Sequence, residues 1–253
     1  APQSKLISIS TDGLSNITSI EQRANGINWA WQNGADVINN SWIASYYSEL
    51  LDNSIVNALT LGRNGFGAVV IFISGNSSKP QNPNTLGVRY PANSNNDITV
   101  VGANNINGSR GIFSCFGEKL DIVAPGVDIK STYLNNTLIF DSGTSYSAPH
   151  VAGICALILS VNPYLNVRQV NDIIEKTAKK VGNYSYINSP NRPNGTWNHE
   201  MGYGLANAFE AVKLAQQMYS STLDLYIKDS SDDMGVEPNT TTPYMWTSDN
   251  IWV

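Results

Sequence analysis

Six consecutive apolar residues, Ala68-Val69-Val70-Ile71-Phe72-Ile73, run between Gly67 and Ser74-Gly75. A strand wetted on one face alternates polar and apolar positions, so a run with no polar position needs cover on both faces. Its length suits a strand better than a helix. The chain must therefore build a sheet held between two layers. Asp36–Asn40, Ile98–Ala103 and Leu120–Ala124 repeat the theme, and Leu6–Ser10 reads as a further short strand. Helical spacing appears between and after them. Ile20, Ala24, Ile27 and Trp31 share a face that Gly34 closes, and Leu51, Ile55, Ala58 and Leu59 share one between Glu49 and Arg63. Ala148–Val161, Asn166–Lys180 and Asn207–Met218 supply three more helices. Strands alternating with helices predict an α/β fold with a mostly parallel sheet.

Apolar residues make up 42% of the 253 positions and charged ones 14%, enough apolar content to fill such a core. The formal net charge is -5 and there is no basic run, which sets nucleic acid aside as a partner. No uninterrupted apolar run is long enough to span a membrane. Cys155 sits in an apolar stretch and Cys115 in a Ser/Phe/Gly segment, so both read as small buried thiols rather than as a disulfide framework. Composition changes after Tyr219. Residues 218–253 are expected to be a linker and the start of a further module, opening with Leu223-Asp224-Leu225-Tyr226-Ile227. Ala1-Pro2-Gln3 carries no initiator Met or leader pattern, and the chain stops inside Ile251-Trp252-Val253, so both ends read as cut.

The strongest local signal is Gly143-Thr144-Ser145-Tyr146-Ser147-Ala148-Pro149-His150-Val151-Ala152-Gly153. A strand-like run, Thr137–Asp141, precedes it and an apolar helix follows. Proline is tolerated in the first turn of a helix, so Pro149 is expected there and Ser145 just before the helix N-terminus. Free backbone N–H groups at such a place hold negative charge. A serine there can attack a carbonyl while its own N–H steadies the developing oxyanion. The run is not the Gly-x-Ser-x-Gly elbow, because Ser147 stands at the second glycine position.

The whole run resembles the nucleophile motif of the subtilisin family of serine proteases. Other segments match that family in order: Val69–Ile73 followed by Ser74-Gly75-Asn76, then Arg89-Tyr90-Pro91-Ala92, Ile98–Ala103, Leu120–Ile129 and Gly202–Ala208. The likeness covers residues 1–217. It implies a three-layer subtilisin-like fold with a mostly parallel sheet, incomplete at its N-terminal side. It implies Ser145 as nucleophile and Asn76 as a donor to the oxyanion. It further implies that Ser41, Trp42, Ile43, Ser74 and Gly75 bind substrate. Where the family usually has Gly on the substrate-binding strand, this chain has Ile43, whose side chain would crowd the cleft.

A serine nucleophile needs a base within hydrogen-bond reach and a carboxylate to orient that base. The family order is Asp, His, Ser, and the chain has two histidines, both after the serine. His150 lies on the nucleophile helix and reads as structural. His199 lies in a late loop and reads as a surface or loop-anchoring residue. Asp12 follows the strand-like Leu6–Ser10, but no His-Gly-Thr-His segment comes after it. The resemblance places the aspartate-bearing strand between Leu6–Ser10 and Val37–Asn40. Without it a slot is expected in the sheet, closed by re-pairing of strands, by a strand-swapped homodimer, or by detachment of residues 1–19.

The expectation is a serine endopeptidase acting on polypeptides through an acyl-enzyme, with this chain a truncated and inactive piece of it. The alternative is a catalytically dead scaffold of the same kind, used for binding or assembly. Gly202-x-Gly204 lacks the third glycine of a dinucleotide site. No cofactor is expected. There is no Cys/His cluster with zinc spacing, and Asp229–Asp233 lacks EF-hand spacing. The resemblance allows structural calcium only through regions outside this chain, and implies a secreted or cell-surface bacterial protein.

Overall fold

The computed structural model describes residues 3–10, 19–77 and 87–220. The elements run in the order α1 (Ile20–Gln32), β1 (Val37–Asn40), α2 (Glu49–Leu61), β2 (Val69–Ile73), β3 (Thr99–Asn104), β4 (Ile122–Pro125), β5 (Ile129–Thr132), β6 (Leu138–Asp141), α3 (Thr144–Val161), α4 (Val167–Lys176), β7 (Ile187–Ser189) and β8 (Arg192–Trp197). A helix over residues 208–220, α5, ends the described chain. Side chains fix the helix starts. Ser19 and Gln22 form a capping box at α1, Asn166 and Gln169 form another at α4, and the Ser48 hydroxyl caps α2.

Four strands form one parallel sheet in the order β1-β2-β3-β4, with Val37 opposite Val69, Ile71 opposite Thr99 and Val101 opposite Ile122. Every residue of β2 and β3 is buried. Alternate side chains of a strand face opposite ways, so both faces of the sheet are covered and the fold has three layers. Helix α3 lies across all four strands, while α1 and α2 pack on each other and on β1 and β2. Helix α3 is long and apolar enough to cross a bilayer, but this packing makes it the core helix of a globular domain. Cys115 and Cys155 are both buried and unpaired, as expected. Two antiparallel pairs, β5–β6 and β7–β8, lie outside the main sheet.

The β7–β8 pair is tied to the base of the sheet by charge. Arg192 Nη1 donates to Asp121 Oδ1 at 2.6 Å, and the Val100 N–H donates to Asp121 Oδ2 at 2.8 Å. Asn194 Nδ2 donates to Asp172 Oδ1 at 2.8 Å and to Glu175 Oε2 at 2.7 Å.

Two expectations are corrected. Leu6–Ser10 is not a strand: Leu6 is 77% exposed, and the segment stands off from β1. A groove of about 310 Å³, lined by Ile7, Ile9, Arg23, Ile27, Val37 and Asn39 among others, separates the two. A strand needs a partner's ladder, and local propensity did not supply one. Among the described residues β1 is thus the edge of the sheet. The second correction concerns α3, which begins at Thr144 rather than after Ser145, so Pro149 lies inside the helix. Asp12 and the 221–253 stretch lie outside the described residues.

Candidate active site

In a parallel sheet all strand C-termini share one end, and that end is where α/β folds place their sites. Strand β1 delivers Ser41-Trp42-Ile43 there, and β2 delivers Ser74-Gly75-Asn76. The first turn of α3 lies against both segments. Gly143 N donates to Gly126 O at 2.8 Å, which seats the turn behind. Gly126 has no room for a side chain: a Cβ there would lie 2.6 Å from Ala103 Cβ and 2.9 Å from Gly143 O, and would overlap Ser147 Oγ.

Pro149 has no N–H, so the carbonyl of Ser145, four residues earlier, lacks its helical partner. The Ser41 hydroxyl supplies one, donating to Ser145 O at 3.2 Å. In return Ser145 Oγ donates to Ser41 O at 3.4 Å. Asn39 Nδ2 donates to Ser41 Oγ at 3.1 Å and steadies it. A proline in the helix is thus compensated by the end of β1, and Ser145 is half-buried with its hydroxyl directed at that segment.

Asn76 is held from the other side. Its Oδ1 accepts from Thr144 N at 3.0 Å and from Thr144 Oγ1 at 2.8 Å. With Oδ1 so engaged, the amide nitrogen is turned outward as a donor. A methyl group built on Gly143 would lie 3.4 Å from Asn76 Nδ2 and 3.8 Å from Ser145 N. Two N–H donors therefore flank one small space next to the backbone of Ser145, at the start of an eighteen-residue helix whose N-terminus favours negative charge. Such a space can hold the oxyanion of a tetrahedral adduct on Ser145.

The remaining expected residues line this end. Trp42 packs edge-on against Phe72 at 5.0 Å, and Arg23 lies over its ring at 4.5 Å while donating to Ile43 O at 2.6 Å. Ile43 is 39% exposed, so its side chain is partly open to solvent just beyond the end of β1. Ser74 is fully buried and both of its backbone groups are engaged within the fold: its N–H donates to Val101 O and its carbonyl accepts from Arg89 N. Gly75 holds φ 106°, a left-handed conformation suited to glycine, and has Arg89 packed over it. Thr144, Gly143 and Arg89 were not singled out from sequence. The first two adjoin Ser145 in the motif, and Arg89 adjoins the quoted Tyr90-Pro91, so proximity was their one available signal.

No base accompanies the serine among the described residues. His150 turns its Nδ1–H to Tyr146 O at 2.7 Å on its own helix. His199 tilts against Phe116 with ring centroids 5.4 Å apart, and its carbonyl accepts from Gly117 N. These are the two histidines of the sequence. Among the described residues no cluster of three or more His, Cys, Asp or Glu is arranged to hold a metal.

A sequence profile of the subtilase family matches residues 1–204. Subtilisin DY of Bacillus licheniformis is 38% identical over 186 residues, covering 74% of this chain and 65% of that protein. M-protease of Shouchella clausii is 35% identical over 189 residues, 75% of this chain and 47% of that protein. Subtilisin Savinase of Lederbergia lenta is 34% identical over 189 residues, 75% of this chain and 66% of that protein. The chain thus spans between about half and just under two thirds of the length of these relatives.

Proposed function

Since the chain belongs to the subtilase family, we propose that it is the nucleophile-bearing part of a serine endopeptidase. Ser145 Oγ attacks the carbonyl carbon of a peptide bond. The oxyanion that forms is held by Asn76 Nδ2 and the Ser145 N–H, and collapse expels the amine and leaves an acyl-enzyme that water hydrolyses. The observation that carries this reading is the shared space beside Gly143, flanked by Asn76 Nδ2 and Ser145 N. The proton of Ser145 needs a histidine, and both histidines of this chain are engaged elsewhere. The base and its orienting carboxylate therefore come from polypeptide outside the 253 residues, and the chain alone is inactive or nearly so. The groove along β1, the edge of the sheet among the described residues, is the place for an added strand, whether from that polypeptide or from a second copy in a swapped dimer. The protein acts on polypeptides and works outside the cell, as the family resemblance implies.

Fluorophosphonate labelling tests this. The 253-residue chain is expected to label at a negligible rate. The same chain joined to the segment that precedes it in its protein is expected to label at Ser145 and to lose the label in Ser145→Ala. Absence of labelling in the joined protein would overturn the peptidase reading in favour of a binding scaffold, the role that an exposed isoleucine at position 43 favours.

A further inference from the structure

The space beside Gly143 has a third neighbour. A methyl group built on Gly143 would lie 3.4 Å from Asn76 Nδ2, 3.8 Å from Ser145 N and 3.8 Å from Tyr146 Cδ2. Cδ2 is a C–H carbon on the rim of the ring, where the ring's quadrupole is positive. Two N–H donors and one aromatic C–H group thus surround the same point. All three offer partial positive charge to a negatively charged oxygen placed there.

Tyr146 is held in this position at both ends. Its N–H donates to Gly143 O at 3.1 Å, and its carbonyl lies 2.7 Å from His150 Nδ1, so its backbone is fixed in the first turn of α3. Its hydroxyl donates to Asp141 Oδ2 at 2.8 Å, at the end of β6. Asp141 is itself anchored, because Oδ1 accepts from Ser142 N at 2.7 Å. The Ser142 N–H and then the Tyr146 hydroxyl draw the pKa of Asp141 below its ordinary value. The same Asp141 bond raises the pKa of Tyr146, so the hydroxyl stays a donor opposite a carboxylate. Asp141 is exposed, and water screens its charge from the space beside Gly143. The tie from β6 to α3 therefore sets where the ring stands.

We propose that Tyr146 is a third contact to the oxyanion and that Asp141 is the residue that positions it. This rests on Ser145 being the nucleophile and on the oxyanion filling the space beside Gly143. A C–H group is a weaker partner than an N–H donor. The ring's share is thus a change of a few fold on a tetrahedral adduct, and none on a peptide that forms no adduct.

A peptidyl boronic acid tests this without turnover. Ser145 Oγ bonds to boron, the serine proton passes to the base, and one oxygen of the boronate anion enters the space beside Gly143. An N-acetylated alanine tetrapeptide ending in a boronic acid, and its plain amide as control, are titrated by calorimetry into the chain joined to the segment that precedes it in its protein. Tyr146→Leu is expected to weaken the boronic acid about fivefold and Tyr146→Phe about threefold, with the amide unchanged. Asp141→Ala should weaken the boronic acid about threefold, and should add nothing in a Tyr146→Phe background. Unchanged amide binding also shows that each variant is folded. Suppose Asn76→Ala weakens the boronic acid while the Tyr146 variants do not. The inference is then overturned and the peptidase reading stands. Equal losses on the amide, or additive losses in the double variant, overturn it as well. If no adduct forms on Ser145, or Asn76→Ala leaves its affinity unchanged, both the inference and the reading beneath it fail.

Discussion

Ser41 and Ser145 exchange hydrogen bonds, each hydroxyl donating to the other's carbonyl, at 3.2 and 3.4 Å. The exchange exists because Pro149 withholds the N–H that would otherwise have occupied the Ser145 carbonyl. Ser41→Ala is expected to cost about 1–2 kcal/mol, since it leaves the part-buried Ser145 carbonyl without its side-chain partner. In a Pro149→Ala background the helix supplies its own N–H, and the cost of Ser41→Ala should fall to less than half. A double-mutant cycle by urea unfolding measures the difference. Equal costs in the two backgrounds would disprove the compensation.

The two donors beside Gly143 make distinct predictions. In a form of the protein carrying the base, Asn76→Ala should lower kcat by about a hundred- to a thousandfold with KM little changed. It should also cost about 1–2 kcal/mol of stability, because the Thr144 N–H and hydroxyl lose their acceptor. Gly143→Ala separates the effects. Its methyl would meet Asn76 Nδ2 at 3.4 Å, an ordinary contact, and φ at 143 is extended, so the fold should be nearly unaffected. The methyl fills the space for the oxyanion, however, and kcat should fall by at least as much as in Asn76→Ala. Full activity in Gly143→Ala would show that the oxyanion lies elsewhere.

Glu175 gives the fold a pH dependence. Burial, helped by the nearby Asp121 carboxylate, pushes its pKa up to about 7, against the pull of the Asn194 amide and Arg192. The folded chain therefore holds this proton at pH values where the unfolded chain, with an ordinary glutamate, has lost it. Stability contributed by the neutral form is present in full below about pH 4.5 and is lost as pH rises toward 7. Glu175→Gln should flatten that slope and raise stability at pH 8 by about 1–3 kcal/mol. Thermal melts of both proteins from pH 4.5 to 8 check it, and an unchanged slope in the variant would refute the assignment.

Both thiols should be inert in the folded state. Cys115 and Cys155 are fully buried, and burial raises the pKa of each, that of Cys155 most strongly. A thiol reagent at pH 8 should modify neither at a measurable rate until denaturant is added, after which both should react. Fast modification of Cys115 in the native protein would mean that the Gly75–Arg89 region opens.

The sequence carried the layered fold, because the runs at β2 and β3 leave no face for water. Its motifs were also long enough to mark the two segments that the structure brings together where Asn76 accepts from Thr144, the neighbour of Ser145. It misplaced the start of α3, because the consequence of Pro149 depends on a hydroxyl 104 positions earlier in the chain, and no local pattern announces that. Leu6–Ser10 failed for a related reason: alternation marks what a strand can do, whereas pairing depends on whether a neighbour stands at the right distance. Thr144 and Arg89 acquire meaning only once β1, β2 and α3 converge.

Gly126 is buried behind Gly143 and decides where the first turn of α3 comes to rest. In a survey of every single substitution, scored by survival of proteolysis in a host, this position should be as intolerant as the serine it stands behind. Most replacements there would yield protein that is made and recovered but silent. A map of sensitivity drawn from such a survey would have two centres, one at Ser145 and one hidden behind the helix that carries it.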